Sequence, residues 1–201
     1  MTLRMAALVA ASTIPATAVA QEAGTPRGTY LVYAEEDGVA FASYEPALAG
    51  AGRWPMVLFF YGDGQFGGAA RATTEARCAA GEATARITDL LDEAGRQVPL
   101  PSGQAAPPIS FTRASNSAGD AAIVDFLCGD ASSRLAQSSA PIFGTPAETA
   151  RRYVAMRAAG LGDRLARDIA IRDPEDSDAL IGTAVPEELR DRVRAILDAR
   201  D

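Results

Sequence analysis

The chain of 201 residues contains no histidine, and each of its 19 basic residues is arginine, so lysine is absent as well. These two gaps remove much of enzyme chemistry. Without an imidazole there is no Ser-His-Asp or Cys-His system and no histidine metal ligand. Without an ε-amine there is no P-loop lysine, no Schiff base and no Ser-x-x-Lys nucleophile. Positive charge is in short supply too: 26 acids against 19 arginines leave a net charge of −7. With a pI near 4.7, the chain lacks the basic footprint that a nucleic-acid partner needs. The expectation is a folded protein that is not an enzyme and holds no cofactor or metal.

Long apolar runs are missing. No stretch reaches the roughly 18 to 20 apolar residues of a membrane helix, so no membrane span is expected. The nearest is Met5 to Ala20, an uncharged run that follows Arg4 and ends in Ala18-Val19-Ala20 before Gln21. Such a short run with a small-x-small ending reads as a secretory signal. Residues 1–20 are therefore predicted to be a signal peptide cleaved near Ala20/Gln21, which sends the protein to the periplasm or the cell exterior. No cysteine stands at the cleavage point, so no lipid anchor is expected. Losing Arg4 takes the net charge from −7 to −8.

Cysteine is scarce, and Cys78 and Cys128 are the whole complement. In an oxidising compartment an even count predicts one disulfide rather than two separate buried thiols. A bridge would close a loop of about 50 residues and stabilise by roughly 4 kcal/mol in the chain-entropy model. It would also remove both residues as nucleophiles.

What is present has a clear order. Residues 21–28 read as a mobile leader. Tyr30-Leu31-Val32-Tyr33 and Val39 to Tyr44 are strand-like runs around Glu35-Glu36-Asp37-Gly38, and Met56 to Tyr61 runs into a second Asp-Gly at Asp63-Gly64. Asp-Gly between apolar runs is a strong hairpin signal. Ala72, Thr74, Ala76 and Cys78 then alternate with Arg71, Thr73, Glu75 and Arg77, the period of a half-buried strand. Ala83, Ala85 and Ile87 continue the pattern against Glu82, Thr84 and Arg86, and Asp92 to Gly95 turns again. Close-spaced turns predict an antiparallel meander in an α+β fold, not βαβ units. Leu100 to Pro108 reads as a Pro-rich connector and Ile109-Ser110-Phe111 as a further strand. Ser117 to Cys128 is predicted to be a short helix stopped by Gly129 and tied to the sheet through the cysteines. The sheet-plus-helix domain is thus placed at 29–130, and a Ser/Ala/Pro linker at 131–143.

Aromatics nearly vanish after the linker: only Tyr153 lies beyond Phe143. Residues 144–201 hold 12 acids and 10 arginines among 58, and are predicted to form a charged helical extension of two or three segments. Thr145-Pro146-Ala147-Glu148 is a capping box. Glu148/Arg152, Asp163/Arg167, Asp168/Arg172 and Glu188/Arg192 have the order and spacing of helical ion pairs. With so little large apolar surface, this extension is expected to be separable from the sheet.

Three motifs could carry chemistry, and each has a plainer reading. Gly62-Asp63-Gly64-Gln65-Phe66-Gly67 matches G-x-G-x-x-G, with Asp89 as the distant acid of a dinucleotide site. The strand pattern after it makes it a hairpin turn instead. The acidic run Asp173 to Asp178 could ligate Ca²⁺, but it lacks the glycine and closing Glu of an EF-hand and reads as a turn between helices. Asp63 and Asp89 are candidates for a glycosidase carboxylate pair, with nothing in the sequence to place them in one cleft. The aromatics Tyr30, Tyr33, Phe41, Tyr44, Trp54, Phe59 and Phe60 read as sheet core.

The succession Glu75-Ala76-Arg77-Cys78, Asp92-Glu93-Ala94-Gly95-Arg96-Gln97-Val98 and Asp125-Phe126-Leu127-Cys128 resembles the surface-adhesin E family of small exported bacterial proteins over about residues 30–129. Ile109-Ser110-Phe111 and Arg113-Ala114-Ser115-Asn116 stand where that family has Trp and Pro-Gly-Ser, and the arginine-rich tail is extra. The resemblance implies an antiparallel sheet with a helix fastened by a Cys78–Cys128 disulfide. The expected function is that of an exported, adhesin-like binding protein of the bacterial envelope, with an envelope or extracellular matrix protein as partner. The alternative is an extracytoplasmic hydrolase using carboxylates alone, with or without Ca²⁺.

Overall fold

The computed structural model describes residues 24–99 and 106–199. The expected signal peptide and cleavage site lie outside the described residues, as does most of the expected Pro-rich connector. Seven strands form one antiparallel sheet: β1 (Gly28–Ala34), β2 (Gly38–Tyr44), β3 (Arg53–Gly62), β4 (Gln65–Arg77), β5 (Glu82–Leu91), β6 (Gln97–Val98) and β7 (Ile109–Thr112). The first five follow chain order, and β6 and β7 pair with opposite ends of β5. This is the expected α+β meander. A short helix, α1 (Pro46–Gly50), connects β2 to β3.

The two Asp-Gly signals resolve differently. Asp63 and Gly64 both have positive φ, 51° and 74°, as a two-residue type I′ hairpin requires. The G-x-G-x-x-G segment is therefore the β3–β4 turn. Asp37-Gly38, by contrast, shows no positive φ. There the loop is Glu35-Glu36-Asp37, closed by the Glu35 N–H donating to the Gly38 carbonyl at 2.9 Å.

Helix α2 (Ala118–Cys128) begins where predicted, with the Ser117 hydroxyl accepting from the Asp120 N–H. It lays Ile123, Val124, Phe126 and Leu127 on the sheet face formed by Tyr30, Val32, Trp54 and Met56. Cys128 at its end is bonded to Cys78, which opens a 3₁₀ turn (Cys78–Ala80) just beyond β4 rather than lying in the strand. Gly129 stops the helix without a left-handed φ. A Cβ at that position would lie 2.8 Å from the Asp125 carbonyl oxygen, so close approach is what calls for glycine.

Residues 131–143 are not a plain linker. They contain α3 (Ala131–Gln137), capped by the Asp130 carboxylate. The Arg134 guanidinium donates to the last carbonyls of α2, Phe126 and Leu127, and stacks about 5 Å from the centres of Tyr44 and Trp54. The Gln137 amide donates to the Val32 carbonyl, and the Ile142 N–H to the Thr29 carbonyl. Both acceptors lie on β1, whose outer edge would otherwise invite strand pairing with another chain. Of the expected leader, Thr25 is buried and Pro26 accepts a hydrogen bond from the Tyr30 hydroxyl.

The tail differs from expectation in number and in role. It forms four helices: α4 (Pro146–Ala158), α5 (Asp163–Ala170), α6 (Pro174–Ala184) and α7 (Glu187–Asp198). Of the capping box the Thr145 half is formed, its hydroxyl accepting from the Glu148 N–H, while the Glu148 carboxylate pairs with Arg152. The acidic run is no inter-helix turn but the start of α6, where the Asp173 carboxylate accepts from the Glu175 and Asp176 N–H groups. Nor is the tail a separate unit. Tyr153, Met156, Leu161, Ile169, Ile181 and Val193 share one core with Leu31, Val39, Phe41, Phe59 and Leu91 of the sheet. The sheet is a middle layer with helices on both faces.

Candidate functional site

The four-helix layer covers only one end of its sheet face. The other end is open, and the strand register specifies what lies on it. Arg53, Glu75 and Thr84 stand side by side on β3, β4 and β5, with Ser110 of β7 beside Thr84. The adjacent row runs through Pro55, Thr73 and Arg86. Beyond Glu75 comes the Arg77–Glu82 ion pair, flanked by Thr112. Thr29 and Ser43 of β1 and β2, hydrogen-bonded at 2.9 Å, extend the surface to the far edge. Six strands thus contribute hydroxyls and guanidinium groups to one face.

A bulge closes this face where the helices begin. Arg71 pairs with Asp89 but Ala72 pairs with Ile87, so Thr88 has no partner opposite it. The extra residue reverses the side-chain alternation along β5. Ala83 and Ala85 pack beneath α2, whereas Leu91 packs beneath the tail. The same shift sets Asp89 facing Arg71, at 3.1 Å, and the Gln97 amide donates to Asp89 at 2.6 Å.

The charges on the face are unequally used. Arg71 and Arg77 are paired, but neither Arg53 nor Arg86 has an ion pair or side-chain hydrogen bond among the described residues, and nor does Glu75. All three are exposed. A protein of net charge −7 therefore displays two unpaired cations and one unpaired anion on this uncovered stretch of sheet. No family model, no curated protein and no solved structure matches the chain. The functional reading rests on this face and on the remaining candidates.

Those candidates do not converge. Asp63 sits at the β3–β4 tip, while Asp89 lies opposite Arg71, six residues along β4 from Gln65. At about 3.4 Å per strand residue that is roughly 20 Å, well beyond the roughly 5 to 9.5 Å between paired glycosidase carboxylates. Among the described residues no three His, Cys, Asp or Glu side chains come together in a metal-binding arrangement. Cys78 and Cys128 are consumed in their bond. Tyr30, Phe41, Trp54 and Phe59 are fully buried, as core aromatics should be, but Phe60 is 44% exposed.

Sequence reasoning singled out the outward residues of β4 and, with Arg86, of β5, but not Arg53. Alternation identifies which residues of one strand share a face. It does not say which residues of neighbouring strands stand beside them, and that register is what assembles Arg53, Glu75 and Arg86.

Proposed function

We propose that the protein is an exported, non-enzymatic interaction protein of the bacterial envelope, adhesin-like, which binds an envelope or extracellular matrix protein through the open end of its sheet. The single observation that carries this reading is the set of unpaired charges Arg53, Arg86 and Glu75 on an open sheet face of six strands. Guanidinium groups are favoured at protein interfaces because they offer planar, multidentate hydrogen bonding. An open sheet face with both signs of charge suits the surface of another protein, where complementary charges set orientation and partner choice. The resemblance to the surface-adhesin E family supports export, as do the disulfide and the signal-like residues 1–20. Among the described residues no helix is long and apolar enough to cross a membrane.

The test is a pull-down from the organism's own envelope fraction with the mature chain as bait, run beside an Arg53→Glu/Arg86→Glu variant of unchanged melting temperature. A protein retained by the wild type and lost with the variant supports the reading. The same proteins on both baits overturn it. Intact mass of the exported material checks the premise: the mature chain should begin at Gln21, and retention of residues 1–20 would remove the envelope from consideration.

A further inference from the structure

A concave feature lies in the four-helix layer, on the part of the molecule that the open sheet face does not reach. Helices α4, α6 and α7, together with Phe143, enclose a cavity of about 480 Å³, within the range of small-molecule sites. Its accessible apolar surface comes from Phe143, Pro174 and Leu197, with the buried Ile181 behind them. Phe143 is 54% exposed, yet its backbone is pinned, because its N–H donates to the Ile171 carbonyl at 2.8 Å. The ring is therefore presented to the cavity by a fixed main chain.

Two ion pairs stand on different walls. On α4, Arg152 contacts Glu148 at 2.6 Å, and the Arg152 side chain is only 13% exposed. Glu148 also leans over Gly144, where a Cβ would come within 2.7 Å of its carboxylate oxygen. Gly144 itself has a φ of 84°, which favours glycine there. Between α6 and α7, Arg194 contacts Asp178 at 2.8 Å, and Asp198 adds a third carboxylate to the lining.

This distribution discriminates between ligand classes. A purely anionic ligand would meet three carboxylates, and a purely cationic one would meet a largely buried guanidinium. A zwitterion can place its ammonium among the carboxylates and its carboxylate on an arginine, while an apolar side chain lies on Phe143, Pro174 and Leu197. We infer that the cavity between α4, α6 and α7 binds a small zwitterion with an apolar side chain, an apolar α-amino acid or its dipeptide. This goes beyond the proposed protein docking and uses none of the same residues.

The experiment is isothermal titration calorimetry of the mature chain with L-leucine and L-phenylalanine. Three controls accompany them: isoamylamine carries only the ammonium, 4-methylpentanoate only the carboxylate, and N-acetyl-leucine amide neither. Saturable binding of the amino acids at or below millimolar concentration is expected, with each control weaker by about tenfold or more. Phe143→Ala and Arg194→Gln alter exposed side chains and should weaken binding without lowering the melting temperature. Arg152→Gln should abolish it, with retained fold checked by circular dichroism. The inference is overturned if the amino acids give no saturable heat, if 4-methylpentanoate binds as well as leucine, or if binding survives both exposed-residue variants.

Discussion

The hydroxyl of Tyr153, on α4, lies 3.0 Å from the carbonyl oxygen of Ala34 at the end of β1, a contact between residues 119 apart in the chain. The same hydroxyl lies 2.6 Å from the Asp163 carboxylate. Its single proton thus faces two acceptors. Burial first, and then the hydrogen bond that the hydroxyl donates to Asp163, hold the phenol's pKa above its ordinary value. This contact joins the tail to the sheet in the middle of their shared core.

Two consequences follow for the tail. A chain ending at Ser138 would expose Leu31, Phe41 and Phe59, all 2% exposed or less in the intact protein, and should show no cooperative thermal transition by circular dichroism. Tyr153→Phe in the intact chain leaves a buried acceptor unmatched and should cost about 1 to 3 kcal/mol, measured by urea unfolding. A truncated chain that melts cooperatively would show that the sheet does not need its second layer.

The disulfide should matter independently of the tail. Cys78 and Cys128 are 50 residues apart, so Cys78→Ser or Cys128→Ser should lower stability by up to about 4 kcal/mol. Unfolding of the single variants under oxidising conditions checks this. Equal stability with and without the bond would mean that the α2 contacts alone hold the helix in place.

Arg134 is placed where lysine could not replace it. Its guanidinium spans two helix-terminal carbonyls and two aromatic faces, and burial lowers its pKa. Arg134→Ala should cost about 2 kcal/mol, from the loss of cation–π contact and carbonyl capping together. Arg134→Lys should recover only a minor part, because a point charge cannot bridge all four groups. Full recovery by lysine in thermal unfolding would contradict this geometry.

The cap of α3 predicts an acid-side pH dependence. The Asp130 carboxylate accepts from the Ser133 N–H and the Ser132 hydroxyl, and these bonds, the backbone one foremost, lower its pKa to about 2. A depressed carboxyl pKa stabilises the fold fully above the unfolded value of about 3.9. That contribution is lost as pH falls from there through about 2. The Asp130 carboxyl carbon should titrate near this lower value by NMR. Asp130→Asn should keep α3 capped while removing its share of the pH dependence. A titration midpoint at the ordinary carboxylate value would show that the cap is not formed.

Much of the fold was legible because the signals are local. The Asp63-Gly64 turn, the Ser117 and Thr145 caps and the alternation along β4 each depend on a few adjacent residues, and each appears in the structure. Other features escaped for the opposite reason. The segment 131–143 reads as a linker by composition, yet Asp130 can cap a helix there, and Arg134 and Gln137 find partners on α2 and β1. The tail reads as separable because large apolar residues are few. Its small residues Ala147, Ala150, Ala166 and Ala170 are nonetheless buried, allowing close helix packing. One signal did point to the second layer: Tyr30 to Tyr33 and Met56 to Tyr61 are unbroken apolar runs, the pattern of strands covered on both faces.

The residues alone determined the turns, the caps, the strand period and the only possible disulfide, since those depend on backbone torsions and neighbours within about one helical turn. Tertiary structure decided which faces are covered and which charges are left unpaired. Arg53 and Arg86 stand on one open surface because β3, β4 and β5 pair in one register and Thr88 bulges out of it. The helical layer ends where it does because Leu91 lies on its side of that bulge. Both outcomes rest on contacts between segments distant in sequence, and a side chain's facing across strands is set by pairing energy that no single stretch of chain contains.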